Sequence, residues 1–172
     1  MRDTVLERGF LWHVEVIDGA TGQVRHDDKG FNKIPNAGRD FLAQSPFGAV
    51  SPITDFYVGL FDQNYIPSAA ALSSDLPNTV GEFLGYSEAT RPAWERVYDD
   101  ATGTHSNEAS RAVFTVTVER RVYGLFMNSS SGKGTDTGLL LSVMRLPTPR
   151  DLKVGDVVRA AAGIIYVPTE IS

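Results

Sequence analysis

A net charge of −5 on 172 residues, with a pI near 5.1, leaves no general basic face to displace counterions from nucleic acid, so no nucleic-acid partner is expected. The absence of cysteine excludes disulfides, thiolate catalysis and cysteine-based zinc sites. The opening MRDTVLERGF has no apolar core of signal-peptide length, and no apolar run reaches the ~18 residues of a membrane span, so the expectation is a chain folded in a cytosol with no membrane partner.

Sixteen glycines and nine prolines beside 10% aromatic residues suit a turn-rich all-β domain, and the length fits a single domain overall. Residues 10–17 (FLWHVEVI) alternate, with Phe10, Trp12, Val14 and Val16 on one face and Leu11, His13, Glu15 and Ile17 on the other. Residues 18–22 turn the chain and 23–25 pair back, so residues 1–30 read as an N-terminal β-ribbon or arm ahead of a sandwich over 31–172. Residues 36–44 predict a helix capped by Asn36, bracketed by Pro35 and Pro46, with Ala37, Phe41 and Gln44 on one face. Residues 56–61 (FYVGLF) predict a strand buried on both faces, and 67–78 a loop with room for one helical turn.

Pro92 excludes a helix interior or a central strand for residues 79–95, which read as an edge or loop segment entering a strand at 94–98. Residues 99–106 form a turn-rich connection. Three apolar runs follow: 112–118 with its continuation 121–127, then 139–146, then 157–167. Val113, Thr115 and Thr117 alternate with Phe114, Val116 and Val118, the period-2 pattern of antiparallel sheet with one wetter side. Residues 128–138 (NSSSGKGTDTG) read as a flexible connection, and 147–156 (PTPRDLKVGD) as a turn built from prolines and a Gly-Asp pair. Strands joined this way form a meander or Greek key and not a βαβ unit.

No catalytic constellation stands out. His13, His26 and His105 fall on a strand and two turns without a spacing that sets metal ligands on one face. His26-Asp27-Asp28, Asp99-Asp100, Glu88 and Glu95 read as charged turns, and Gly132-Lys133-Gly134-Thr135 fails the phosphate-loop pattern because Met127 stands at its first glycine. Asn128-Ser129-Ser130 is a chance match to the glycosylation acceptor in a chain with no secretory signal. No enzyme activity, metal or cofactor is expected. Arg39 beside Asp40, and Arg120-Arg121 beside Glu119, suit surface ion pairs. Trp, Tyr and Arg dominate protein interfaces, which makes Trp12, Arg39, Tyr65, Tyr86, Arg91, Trp94, Arg120 and Arg121 the candidate partner-facing residues.

Several phrases occur as a set: residues 36–43 (NAGRDFLA), 56–61 (FYVGLF), 86–94 (YSEATRPAW), 106–115 (SNEASRAVFT), Gly124 to Phe126, and Val154-Gly155-Asp156. In that order and at that spacing they resemble small structural proteins of the virion modules of tailed bacteriophages. The nearest likeness is to head decoration, or cement, proteins with a jelly-roll-like β-sandwich. The resemblance covers most of residues 31–167, and the 10–25 ribbon lies outside it. It implies an all-β, antiparallel, jelly-roll-like sandwich with one or two short helices and long loops, carried on the virion surface and made in the host bacterial cytoplasm. The implied partner is the major capsid protein. Self-association as a dimer or trimer is expected because closed point groups are the common case. A tail, adaptor or fibre-associated protein is the second reading. A carbohydrate-binding β-sandwich is the third, and it requires Trp94 and Tyr86 to line a concave site.

Overall fold

In the computed structural model, which describes residues 9–165, alternating apolar segments pair into two antiparallel sheets. In chain order the elements are β1 (Phe10–Ile17), β2 (Val24–Phe31), α1 (Asn36–Gln44), β3 (Tyr57–Phe61), β4 (Glu82–Phe83), β5 (Val97–Asp99), β6 (Thr104–Ser106), β7 (Ala112–Thr115), β8 (Arg120–Asn128), β9 (Leu140–Leu152) and β10 (Val157–Ile165). One sheet has the order β2-β1-β10-β6-β5, with β7 also on β10; the other runs β4-β3-β8-β9. Strands take up 43% of the chain and helical turns 13%, so the structure is the expected all-β sandwich.

The two sheets face one another across a core in which Trp12, Phe114, Leu125, Met127, Met144 and Ala160 are fully buried. Each large side chain removed from water there stabilises the fold by roughly 1.5–3 kcal/mol. A second, smaller core lies on the far side of the four-stranded sheet, where residues 62–81 fold back so that Ala71, Leu76 and Val80 cover Phe61, Phe126, Leu140 and Val143. Arg145 anchors this cover by donating to the Tyr65 carbonyl at 2.7 Å and to Asn64 Oδ1 at 2.6 Å. Glycine makes the layer possible: Gly59 and Gly124 stand directly opposite Phe126 and Phe61 on the paired strand, and a Cβ at either would overlap the ring.

The hairpin expected as an N-terminal ribbon or arm is part of the body. β1 lies between β2 and β10, pairs with β10 from Phe10↔Ile164 to Ile17↔Val157, and sends Phe10, Trp12, Val14 and Val16 into the main core. Its second arm reaches Phe31 and not only Arg25, because Asp28 turns inward and receives Arg150 of β9 at 2.6 and 2.8 Å. That buried charge closes one side of the sandwich and blunts an otherwise exposed sheet edge.

α1 has the expected limits, but Pro35 occupies its N-cap position and no side chain caps it. Asn36 instead donates its backbone N–H to the Ala69 carbonyl at 2.8 Å. The face turned to the core carries Gly38, Phe41 and Leu42 in place of Ala37, Phe41 and Gln44. Gly38 lies directly on β9, where a Cβ would come 2.8 Å from the Leu141 carbonyl oxygen.

Three other expectations are corrected. The proline-rich 147–152 stretch continues β9 and is not a turn. Leu146, Pro147, Thr148 and Pro149 stand opposite the single residue Tyr123, after which pairing resumes at Arg150↔Val122; the prolines sit where no ladder bond is needed. The strand expected from Trp94 begins only at Val97, and the connection after it is a hairpin, β5 to β6, turned at Gly103 with φ 64°. Residues 67–80 hold two helical turns, a 3₁₀ turn Ser73–Asp75 running into a π turn Leu76–Val80.

Candidate functional site

The eight candidate partner-facing residues divide sharply. Trp12, Tyr86, Arg91 and Trp94 are buried, so they are framework and not contact residues. Trp12 Nε1 donates to Ser142 Oγ at 3.2 Å, and Trp94 Nε1 to the Ala162 carbonyl at 2.9 Å. An apolar ring with one inward donor suits a β core as well as an interface, and sequence alone does not separate the two. Tyr65 is half-buried against the smaller core. Arg39, Arg120 and Arg121 are exposed, each in an ion pair, with Asp40, Asp62 and Asp151 respectively.

Arg91 organises a buried polar network. Its Nε and Nη2 grip Glu82 at 2.8 and 2.7 Å, while Nη1 and Nη2 reach the Ser130 and Thr135 carbonyls at 2.9 and 3.0 Å. Glu82 also accepts the Gly134 N–H at 2.8 Å, and the guanidinium lies over the Phe126 ring. Lys133 adds bonds to the Tyr86 and Glu88 carbonyls, both at 2.9 Å, and sits 3.8 Å from the Tyr86 ring centre. Burial lowers its pKa, against the pull of Glu88 and Glu82. Residues 129–138, expected as a flexible connection, are therefore a braced loop. Burial also pushes the Tyr86 hydroxyl well above its ordinary range.

The outer face of the six-stranded sheet carries a second cluster. His13 and Glu15 are two apart on β1 and so share a face, a His-x-Glu spacing that corrects the expectation of histidines without a same-face ligand spacing. Asp27 stands opposite Glu15 on β2, and ligand atoms of the three come within 4.8 Å of one another. His13 Nε2 lies 2.9 Å from Asp27 Oδ1, and Nδ1 lies 3.1 Å from Arg111 Nη2 and 3.3 Å from Glu108 Oε1. Arg111 supplies the positive charge for this group: it pairs with Glu15 at 2.6 Å and with Glu108. Burial works against its charged form, and the bonds from Glu108 and Glu15 outweigh that, holding its pKa above the usual value. Arg111 thus offsets part of the negative charge of the three carboxylates.

Beside it runs a groove of about 340 Å³ between Leu11, His13 and Lys29 on one side and Thr104, Ser106 and Glu108 on the other, floored by Ala161 and Gly163. A second, more open hollow is lined by Pro92, Ala93, Glu95, Arg111 and Val113. This broad, mixed surface is suited to contact with another macromolecule. No protein-family model matches the chain, and no curated protein matches it.

Proposed function

We propose that this chain is a structural protein of a tailed-bacteriophage virion, a decoration protein that binds the outside of the head shell and bridges neighbouring major capsid protein subunits. The reading rests on the ordered phrases between residues 36 and 156. It is supported by one structural observation: the buried polar side chains hold the fold's own segments together. Arg91 and Glu82 brace the 129–138 loop, Asp28 and Arg150 join the sheets, and Asn107 ties its turn to β10 through Ala160 and Ala162. A rigid body with broad exposed faces is what a cementing role requires.

Cementing needs complementarity and multiplicity. Weak contacts from each copy to several subunits act together through a high effective concentration, and a ligand that binds only the assembled lattice shifts the equilibrium toward it. An acidic protein also suits a lattice that is basic where it docks. The carbohydrate-binding reading loses its premise, since Trp94 and Tyr86 are 6% and 3% exposed and line no open site.

Copy number per particle tests the proposal, by quantitative mass spectrometry of purified virions against the major capsid protein. Hundreds of copies are expected, with weakened shells in its absence. A count of about a dozen, as for one symmetric ring, would move the protein to a portal, tail or fibre position, and none would refute a virion role.

A further inference from the structure

The two sheets differ in what covers them. Residues 62–81 lie over the outer side of the four-stranded sheet, leaving Phe61, Phe126 and Val143 at 0% exposure. Among the described residues nothing covers the outer side of the six-stranded sheet in the same way, and there Phe31 is 75% exposed, Val97 63%, Val113 39% and Leu11 37%. Register aligns Phe31, Leu11 and Val97: Phe31 stands opposite Leu11, Leu11 opposite Gly163, Gly163 opposite Ser106 and Ser106 opposite Val97. A largely apolar row therefore crosses the whole sheet.

The next rows on this face are charged and balanced. Asp27, Glu15 and Arg159 lie side by side, and Arg159 is opposite Val113. Over the four strands β2, β1, β10 and β7 and the turn that leads into β7, Lys29, Arg111 and Arg159 are set against Glu15, Asp27 and Glu108, with Asp99 beyond them at the hairpin rim. Two copies of a chain carrying −5 repel one another across most approaches; across this face they do not, and each copy offers both signs to the other. The relief is also self-complementary. Phe31 is a projecting ring on β2, and two strands away lies the groove floored by Ala161 and Gly163. A two-fold axis sets each projection against the other copy's hollow, because in an isologous contact residue i meets j and j meets i.

We propose that the outer face of the six-stranded sheet is the docking surface for a second copy of this chain, sheet against sheet, with Phe31 of each copy entering the other's groove. At ~3.3 Å per residue and ~4.8 Å per strand the face measures on the order of 600 Å², comparable to the ~800 Å² that each partner contributes in a standard complex. This pairing goes beyond the virion role and stands apart from it.

The test is light scattering after size exclusion, with sedimentation velocity, on the full chain from about 1 µM to a few hundred µM, a range that brackets a micromolar association. The expected mass is twice 18.7 kDa. Phe31→Glu and Val113→Lys should each raise the dissociation constant at least about tenfold, as loss of an interface anchor does, with unchanged circular dichroism and melting. Phe47→Glu, 86% exposed but on the turn after α1, should leave the dimer intact. A monomer at every concentration, a trimer, or a dimer indifferent to both face variants would overturn the proposal. None of these outcomes touches copy number on the virion, so the two readings fail separately.

Discussion

Arg91 and Glu82 meet inside the protein as a two-pronged ion pair, Nε to Oε1 at 2.8 Å and Nη2 to Oε2 at 2.7 Å, with side chains 0% and 1% exposed. A buried pair is a weak source of net stability when intact, yet removing one partner strands the other's charge away from water. Arg91→Met leaves Glu82 uncompensated and the Ser130 and Thr135 carbonyls without their donor. The expected loss is about 3–5 kcal/mol, a fall in melting temperature of roughly 6–20 °C for a chain of this size. Replacing Glu82 by Gln in the same chain should recover part of it; a double variant no better than the single would refute the pairing argument.

Gly59 and Phe126 make a second prediction. The ring lies across the glycine on the neighbouring strand, and Phe61 does the same over Gly124. Gly59→Ala and Gly124→Ala should each destabilise by about 1–3 kcal/mol through overpacking, visible as a lower urea midpoint. Alanine at Gly22, where a Cβ would meet nothing within 4 Å, would show only the strain of its positive φ of 70°.

The two tryptophans report burial directly. Trp12 is 0% and Trp94 6% exposed, so emission should be blue-shifted and poorly quenched by acrylamide until the chain unfolds. Trp94→Phe removes the donor to the Ala162 carbonyl and should cost about 1–3 kcal/mol, the penalty for an orphaned buried polar group. Strong quenching of the native protein would contradict the burial of both rings.

Mild acid should weaken the fold before carboxylates titrate. His26 has its pKa lowered by burial first, then by Arg150 and Arg25, and His105 by burial and then Arg96. In the native state both resist protonation, so the unfolded chain binds more protons as pH falls through its ordinary histidine range near 6.5. Stability is therefore full above that value and declines as pH falls toward the lowered native pKa values. Melting curves between about pH 7.5 and 5.5 should fall with pH, and His26→Gln should flatten part of the slope. A flat profile would refute the assignment.

Arg39 and Arg121 are surface residues whose ion pairs with Asp40 and Asp151 are open to solvent. Such pairs add little to stability, so Arg39→Ala and Arg121→Ala should leave the melting temperature unchanged. On the virion reading they should weaken binding to purified shells, measured by co-sedimentation. Undiminished binding would remove both from the contact.

Alternation along residues 10–17 and 112–116 is readable by eye because each strand has one face in the core and one turned away from it. The limits of α1 follow from prolines that bracket it. What the chain order conceals is partnership. Nothing local in FLWHVEVI says that its neighbour is β10, some 150 residues away, so a central strand reads as an arm. Likewise Arg91 and Trp94 carry the chemistry of contact residues, and only the three-dimensional position of Glu82 and Ala162 turns them into core. The polar 129–138 loop reads as flexible for the same reason: its order comes from Arg91, far upstream in the chain, and from the loop's own Lys133 reaching the distant Tyr86 and Glu88 carbonyls. The His13 cluster was closer to view, since His-x-Glu is written in β1, although Asp27, Glu108 and Arg111 reach it only through folding.

The pairing of β1 with β10 also governs when the protein can fold. As the chain leaves the ribosome, the first hairpin has its turn and its β2 partner, but Phe10, Trp12, Val14 and Val16 have no opposing layer, and one edge of β1 stays open until residues 157–164 arrive. Closure of the six-stranded sheet is thus a late event that joins distant segments, and topologies of this kind fold in about milliseconds to seconds. Until then the hairpin is an unpaired apolar edge, open to a neighbouring nascent chain in a crowded cell. Rapid, high-yield synthesis would therefore depend on how quickly the final strand is supplied and not on how early the first one forms.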